Sequence, residues 1–391
     1  MKLFCKISFL LFSFLIFATN AFSIKPKAII PGAYQMNLYL PQIAGKNVAL
    51  VVNHTSMVGE VHLADTLLNR GVQIKKYFAP EHGFRGNADA GAHINNEVDQ
   101  KTGLPIISLY GKHKKPTKED LAGIDLVIFD IQDVGTRFYT YISTLQYVLE
   151  ACAENNVPLM VLDRGNPNGK FIDGPVLDRK FISFVGINPI PLLHGCTIGE
   201  LAKMFNGEKW LNNGIICQLS VIPVKNYHHS DPVHITIAPS PNLPNDQSIS
   251  LYPSLCLFEG TNVSVGRGTD KQFQVVGTNI PGLGDYQFTP VPKPGAMDPP
   301  LKNQVCYGFD LSKIDASNLG LNLKYLFYFF DKSGKKELFF TSPSFFDKLA
   351  GTDQLRLQML AGKTEEEIRA SWQESLNEYK KMRKKYLIYP N

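Results

Sequence analysis

The chain has 391 residues, of which 44% are hydrophobic, 11% aromatic and 19% charged, a globular balance that excludes a disordered, collagenous or disulfide-scaffold protein. Forty Lys and Arg against 35 Asp and Glu leave a formal charge of +5, too small a surplus over this length for a nucleic-acid footprint. A chain this long seldom keeps one hydrophobic centre, so about two domains are expected.

Lys2 and Lys6 flank the start of the apolar run Ile7 to Ala18, and Ala21-Phe22-Ser23 places small residues around a cleavage site. The run is shorter than the roughly 20 residues that span a bilayer. Residues 1–23 therefore read as a secretory signal peptide, which puts the mature chain in the periplasm or outside the cell, with no membrane span after cleavage. Loss of Cys5 leaves Cys152, Cys196, Cys217, Cys256 and Cys306. That scattered odd set has no CxxC spacing and is expected to consist mostly of small buried hydrophobes.

From Lys46 onward, short β-branched runs alternate with longer amphipathic stretches, the signature of a parallel sheet covered by helices. Strands are expected at Val48 to Val52, Ile74 to Phe78, Ile106 to Leu109, Leu126 to Ile131 and Leu159 to Leu162. Helices are expected between them at Val61 to Asn69, Lys118 to Ala122 and Tyr139 to Asn155. After Asp163 the composition turns to Pro, Gly and Asn. A helix returns at Thr197 to Asn206, where Thr197 and Glu200 have capping-box spacing. Pro281 to Pro300 reads as a long ordered loop; Leu321 to Phe330, Ser344 to Ala350, Asp353 to Ala361 and Thr364 to Tyr386 read as helices. The fold class is α/β: a Rossmann-like domain over residues 24–184 and a smaller α+β domain over residues 185–391.

Ligands of open parallel sheets bind beyond the carboxyl ends of the strands. Here all five ends are polar: Asn53-His54-Thr55, Glu81-His82-Gly83-Phe84-Arg85-Gly86, Tyr110-Gly111, Asp133 through Tyr139, and Asp163-Arg164-Gly165-Asn166. One such end is often only a helix cap, and five on one rim suggest a cleft. The Glu81 segment is the most informative, because a carboxylate beside an imidazole and Arg85 is costly after an apolar strand unless it faces a site. A simple loop salt bridge between Glu81 and Arg85 is the plainer alternative. As a general acid, Glu81 would need burial or a nearby carboxylate such as Asp133 or Asp163. Asp130, inside its strand, reads as a structural acceptor.

Arg137, Arg164 and Arg267 are candidate anion clamps, since a guanidinium fork matches a carboxylate bidentately. The loop from Glu259 to Thr269, with Asn262 and three hydroxyls, suggests a lining for a hydroxyl-rich ligand. GxGxxG after the first strand, GxxxxGK[ST] and GxSxG are all absent, so nucleotide and serine-hydrolase readings lose their usual support. His54, His62, His82 and His93 lack HExxH spacing, and neither metal nor cofactor is called for.

Five blocks in order resemble the NamZ exo-β-N-acetylmuramidases, a bacterial glycoside hydrolase family. They are Glu81 to Gly86; Asp130 to Gly135 with Arg137 to Tyr141; His194 to Leu201; Pro239-Ser240-Pro241-Asn242; and Phe258 to Asn262 running through Gly266 to Thr269. The resemblance covers about Val48 to Tyr389. It implies a Rossmann-like domain beside a smaller C-terminal one, and hydrolysis releasing N-acetylmuramic acid (MurNAc) from the non-reducing end of peptide-free cell-wall glycans, with Glu81 as the catalytic residue. Gly165 stands where the family usually has Pro, and Cys196 where it usually has Met, departures that bear on loop shape.

A glycosidase needs two carboxyl groups flanking the bond. Glu81 is expected as the acid and Asp133 as the second group, with Asp163 and Glu259 behind it. Asn53, His82, Arg85, Arg137, Tyr139, Asp163, Arg164, Glu259, Asn262 and Arg267 are the expected substrate-binding residues, with MurNAc-GlcNAc oligosaccharides as partners. Arg137 or Arg267 is expected to meet the lactyl carboxylate of MurNAc. A non-catalytic cell-wall sugar-binding protein and a metal-dependent hydrolase are the competing classes.

Overall fold

The computed structural model describes residues 27–81, 83–84, 97–332 and 334–391; the expected signal peptide, His82, Arg85 and His93 lie outside the described residues. The β-branched runs form a seven-stranded sheet. Its strands are β1 (Asn47–Val52), β2 (Gln73–Ala79), β3 (Glu97–Val98), β4 (Pro105–Ser108), β5 (Leu126–Asp130), β6 (Leu159–Leu162) and β7 (Leu219–Ile222). Their order across the sheet is β7-β6-β5-β1-β2-β4-β3, parallel except for β3, which runs antiparallel to β4 at the edge. Successive strands leave β1 first on one side and then on the other. The loops after β1 and β5 therefore part and open a crevice at the carboxyl edge.

The central strands are apolar at nearly every position because both faces are covered. Ala49, Val51, Val127, Phe129 and Val161 pack on the side of helices Tyr141–Glu154 and Ile198–Gly207. Val48, Leu50, Ile128, Met160 and Leu162 pack on the opposite side with Tyr39, Leu63 and Leu67. The register Val48↔Leu126 through Val52↔Asp130 ends β1 and β5 level, so Asn53 and Ile131 leave the sheet together.

The second part of the chain is smaller in strand content. It holds a three-stranded antiparallel sheet of β8 (Val275–Thr278), β9 (Tyr286–Phe288) and β10 (Cys306–Asp310), in the order β8-β10-β9, with helices from Lys324 to Arg383. Among the described residues no helix is long and apolar enough to cross a membrane. Cys152, Cys196, Cys217, Cys256 and Cys306 are free and buried.

Several expected elements differ. Residues Lys118 to Ala122 form turns, because Thr117 and Asp120 exchange local hydrogen bonds (Thr117 N to Asp120 Oδ2, 2.8 Å; Asp120 N to Thr117 Oγ1, 3.2 Å), the side-chain competition that opposes helix growth. The long helix from Thr364 is two, Glu365–Ser371 and Gln373–Arg383, parted at buried Trp372, whose φ of −106° leaves the helical region. Within 281–300 the chain makes β9. The capping box at Thr197 and Glu200 is present.

The last residues return to the first sheet. Tyr389 donates its hydroxyl to Asp163 Oδ2 at 2.6 Å and accepts from Val224 N at 2.8 Å, and Ile388 N donates to Glu200 Oε1 at 2.8 Å.

Candidate active site

The turn after β2 positions Glu81. Gly83 donates its N–H to Pro80 O at 3.0 Å and takes φ +76°, a conformation that favours glycine. Phe84 anchors the far side of the turn by stacking on Tyr77, with ring centroids 4.8 Å apart. The Glu81 carboxylate accepts from Thr140 Oγ1 at 2.5 Å, and Thr140 is delivered by the loop leading into helix Tyr141–Glu154. Tyr110, beyond β4, shares this corner; burial first, and then the Glu81 charge, push its phenol well above the usual range.

Glu81 opens into a cleft of about 430 Å³ between the carboxyl edge of the sheet and the second part of the chain. Its lining includes Tyr110, Lys114, Phe138, Tyr139 and Phe184 and, from later in the chain, Asn242, Tyr252, Glu259, Arg267 and Phe345. Such aromatic faces with a few directed polar groups are what a sugar ring meets when it is held by stacking and hydrogen bonds. Glu259 pairs through Oε1 with Arg267 Nε. Burial works against the charge of Arg267, but the Glu259 carboxylate more than restores it, so the guanidinium is held more firmly protonated than usual. Arg267 also lies over the Phe273 ring, 5.0 Å from its centroid.

Of the expected site residues, Glu81, Tyr139, Glu259 and Arg267 therefore meet at one cleft. Tyr139 presents its ring there, with its hydroxyl spent on Pro239 O at 2.8 Å. The other described candidates lie away from this lining. Arg137 is fully buried, with Nη1 donating to Pro175 O and Ile190 O (2.8 and 2.9 Å) and Nη2 to Leu349 O (2.9 Å). Its fork ties three chain segments and is not an anion clamp. Arg164 grips Asp130 through Nε and Nη2 at 2.6 and 2.9 Å, beside a separate small cavity, so Asp130 is the structural acceptor expected of it.

Asp163 accepts from Thr197, Gly199, Tyr389 and Arg164 N, a tie for the sheet edge rather than a group open to ligand; burial raises its pKa to about 6. Asp133 is buried, accepts from Gly135 N at 2.7 Å, and is pushed up to about 7 by loss of solvent. Asn53 spends its side-chain oxygen on the Thr55 backbone and hydroxyl at 2.9 and 2.6 Å. Asn262 contributes its N–H to Phe339 O. The hydroxyls of the 259–269 loop also turn inward: Thr261 donates to Phe258 O, Thr269 donates to Gly266 O, and Ser264 accepts from Gly266 N. The loop reaches the cleft through Glu259 and Arg267, not as a hydroxyl lining.

Lys114, Phe184, Tyr252 and Phe345 were not singled out from sequence. They come from four separated segments with no shared spacing, and no local pattern marks them. Among the described residues, no three His, Cys, Asp or Glu side chains stand close enough to hold a metal ion. His54 and His62 each bond a backbone carbonyl, that of Ala238 (2.7 Å) and of Asn53 (2.8 Å).

The family profile described as "Exo-beta-N-acetylmuramidase NamZ, N-terminal" matches residues 48–247, and its C-terminal counterpart matches residues 250–389. The chain is 40% identical to the peptidoglycan β-N-acetylmuramidase NamZ of Bacillus subtilis (strain 168), over 90% of this chain and 89% of that protein. Crystal structures of two DUF1343 family proteins from Bacteroides fragilis NCTC 9343 are similar. The first has a TM-score of 0.87 at 45% identity, covering 93% of this chain and 100% of that one. The second has a TM-score of 0.80 at 29% identity, covering 92% and 99%. With both halves matched in order over one continuous cleft, the chain belongs to the NamZ family of exo-β-N-acetylmuramidases.

Proposed function

We propose that this protein is an exported exo-acting glycosidase that releases MurNAc from the non-reducing end of peptide-free peptidoglycan fragments, with Glu81 as general acid. The observation that carries the reading is the Glu81 carboxylate, held at 2.5 Å by Thr140 and facing an aromatic-lined cleft that also contains Glu259. Protonation of the leaving oxygen requires a carboxyl group fixed against the bond, and the Thr140 contact helps to fix that of Glu81.

The second carboxyl role passes from Asp133 to Glu259. Glu259 shares the cleft with Glu81, whereas Asp133 and Asp163 are buried away from its lining. Paired with Arg267, Glu259 is suited to act in the ionised form, as a base toward water or as a nucleophile. The test is incubation of the purified chain from residue 24 with MurNAc-GlcNAc, with products separated by mass. Free MurNAc is expected from the wild type, and Glu81→Gln should lower kcat by roughly 10²–10⁴-fold. Binding of the disaccharide without turnover would assign the cleft to a sugar-binding protein instead.

A further inference from the structure

Two cations line the cleft among the described residues, Lys114 and Arg267. Arg267 is engaged by Glu259. Lys114 has no carboxylate partner among the described residues; its ammonium lies 4.6 Å from the centroid of the Phe184 ring. The contrast with the next residue is direct, because Lys115 turns the other way and meets both Glu150 (3.3 Å) and Glu154 (2.7 Å).

Phe184 is itself fixed. It stacks on Tyr147 with ring centroids 6.3 Å apart and an interplanar angle of 11°, and it meets Tyr110 edge-on at 5.8 Å. Ser143 holds its backbone carbonyl at 2.8 Å. Lys114 is thus laid along a rigid aromatic wall, in the cleft that Tyr110 and Glu81 also line. The Glu259 and Arg267 charges offset each other within their ion pair, whereas the Lys114 ammonium has no carboxylate partner among the described residues. A neutral sugar gives that charge nothing to meet.

Resting on the muramidase reading above, we propose that Lys114 is the specificity-determining residue that recognises the lactyl carboxylate of MurNAc. N-acetylglucosamine differs from MurNAc by lacking that lactyl ether, so discrimination has to come from whatever faces it. A part-buried ammonium beside an aromatic face favours a carboxylate over a neutral group through a charge-assisted hydrogen bond. This role replaces the one expected of Arg137 or Arg267: the fork of the first is occupied by carbonyls and the second is engaged by Glu259.

The experiment compares kcat/KM for the 4-nitrophenyl β-glycoside of MurNAc and for the same glycoside with its lactyl acid converted to the amide. Wild type should prefer the acid by about tenfold or more. In Lys114→Met the ratio should fall close to one, in Lys114→Gln likewise, and Lys114→Arg should recover most of it. Turnover of the amide substrate shows that each variant is folded. An unchanged ratio in Lys114→Met, or a wild type indifferent to the acid, overturns the assignment of Lys114 while leaving the activity standing. A wild type that releases MurNAc from neither glycoside nor from MurNAc-GlcNAc overturns the activity reading and this one together.

Discussion

The imidazole Nε2 of His194 lies 3.9 Å from Oδ2 of Asp133 in the buried region behind the β5 loop, too far for a hydrogen bond. Burial drives the two in opposite directions. Asp133 rises to about 7, and His194 falls to about 3 with help from the charges of Arg383 and Arg137. Both are therefore favoured in their neutral forms. For Asp133 the folded pKa lies above the unfolded one, so its contribution is fully present below about pH 4 and is lost as pH rises toward 7. For His194 the folded pKa lies below, so its contribution is fully present above about pH 6.5 and is lost as pH falls toward 3. Between these limits the two slopes oppose each other. Asp133→Asn should leave a protein whose melting temperature climbs with pH from 4 to 6.5, and His194→Gln one whose melting temperature declines over the same window. Parallel pH curves for both variants would show that the pair does not set this dependence.

Arg137 is expected to matter for stability and not for recognition. Its three bonds to Pro175, Ile190 and Leu349 carbonyls have no substitute in a lysine, which cannot spread its donors over a fork. Each charged hydrogen bond is worth roughly 1.5–3 kcal/mol and the carbonyls would remain buried. Arg137→Lys should lower unfolding free energy by about 3 kcal/mol or more, read from the urea midpoint. An unchanged midpoint with an altered sugar preference would return Arg137 to the cleft.

Replacing Glu259 by Gln keeps the shape but removes the ionised group opposite Arg267. Loss of a base or nucleophile should reduce kcat by about 10²-fold or more, with a smaller effect on KM. If Asp133→Asn proves the more damaging change in kcat, the second role belongs to Asp133 after all.

The five buried thiols should be silent in the native protein. Burial raises Cys196 to about 12 and Cys256 well above the ordinary range, so little thiolate exists to react. Cys152 and Cys217 hydrogen-bond each other, which lifts the first and lowers the second, so Cys217 is kept from a reagent by its burial alone. Under reducing preparation, a thiol reagent should label none at native pH within minutes and all five in urea. Rapid labelling of the folded protein would reveal an opening of the core.

The sheet was legible because its strands are apolar on both faces, so runs such as Leu159–Leu162 need no partner to be recognised. Short β7, with only Ile222 fully buried, offers no such run and escaped notice. At the site, chain position told which loops arrive at the rim but not which way their side chains turn. Glu81 points into the cleft because its turn is local. Arg137 leaves the same rim and turns toward carbonyls at 175, 190 and 349, partners that no spacing around residue 137 could disclose. Lys114 and Phe184 meet only through the fold.

The return of the chain end to the first sheet sets the order in which the molecule can be completed. Asp163 and Glu200 lie at the carboxyl edge of that sheet, yet two of their partners, Tyr389 and Ile388, come 226 and 188 residues further along the chain. A fragment ending at residue 247 would leave those carboxylates without partners that answer part of their desolvation. Such closure between distant positions slows folding, since loop entropy must be lost before the contact is gained. A chain still emerging from its ribosome thus has an unfinished sheet, and stays open to a chaperone until residues 388 and 389 are free.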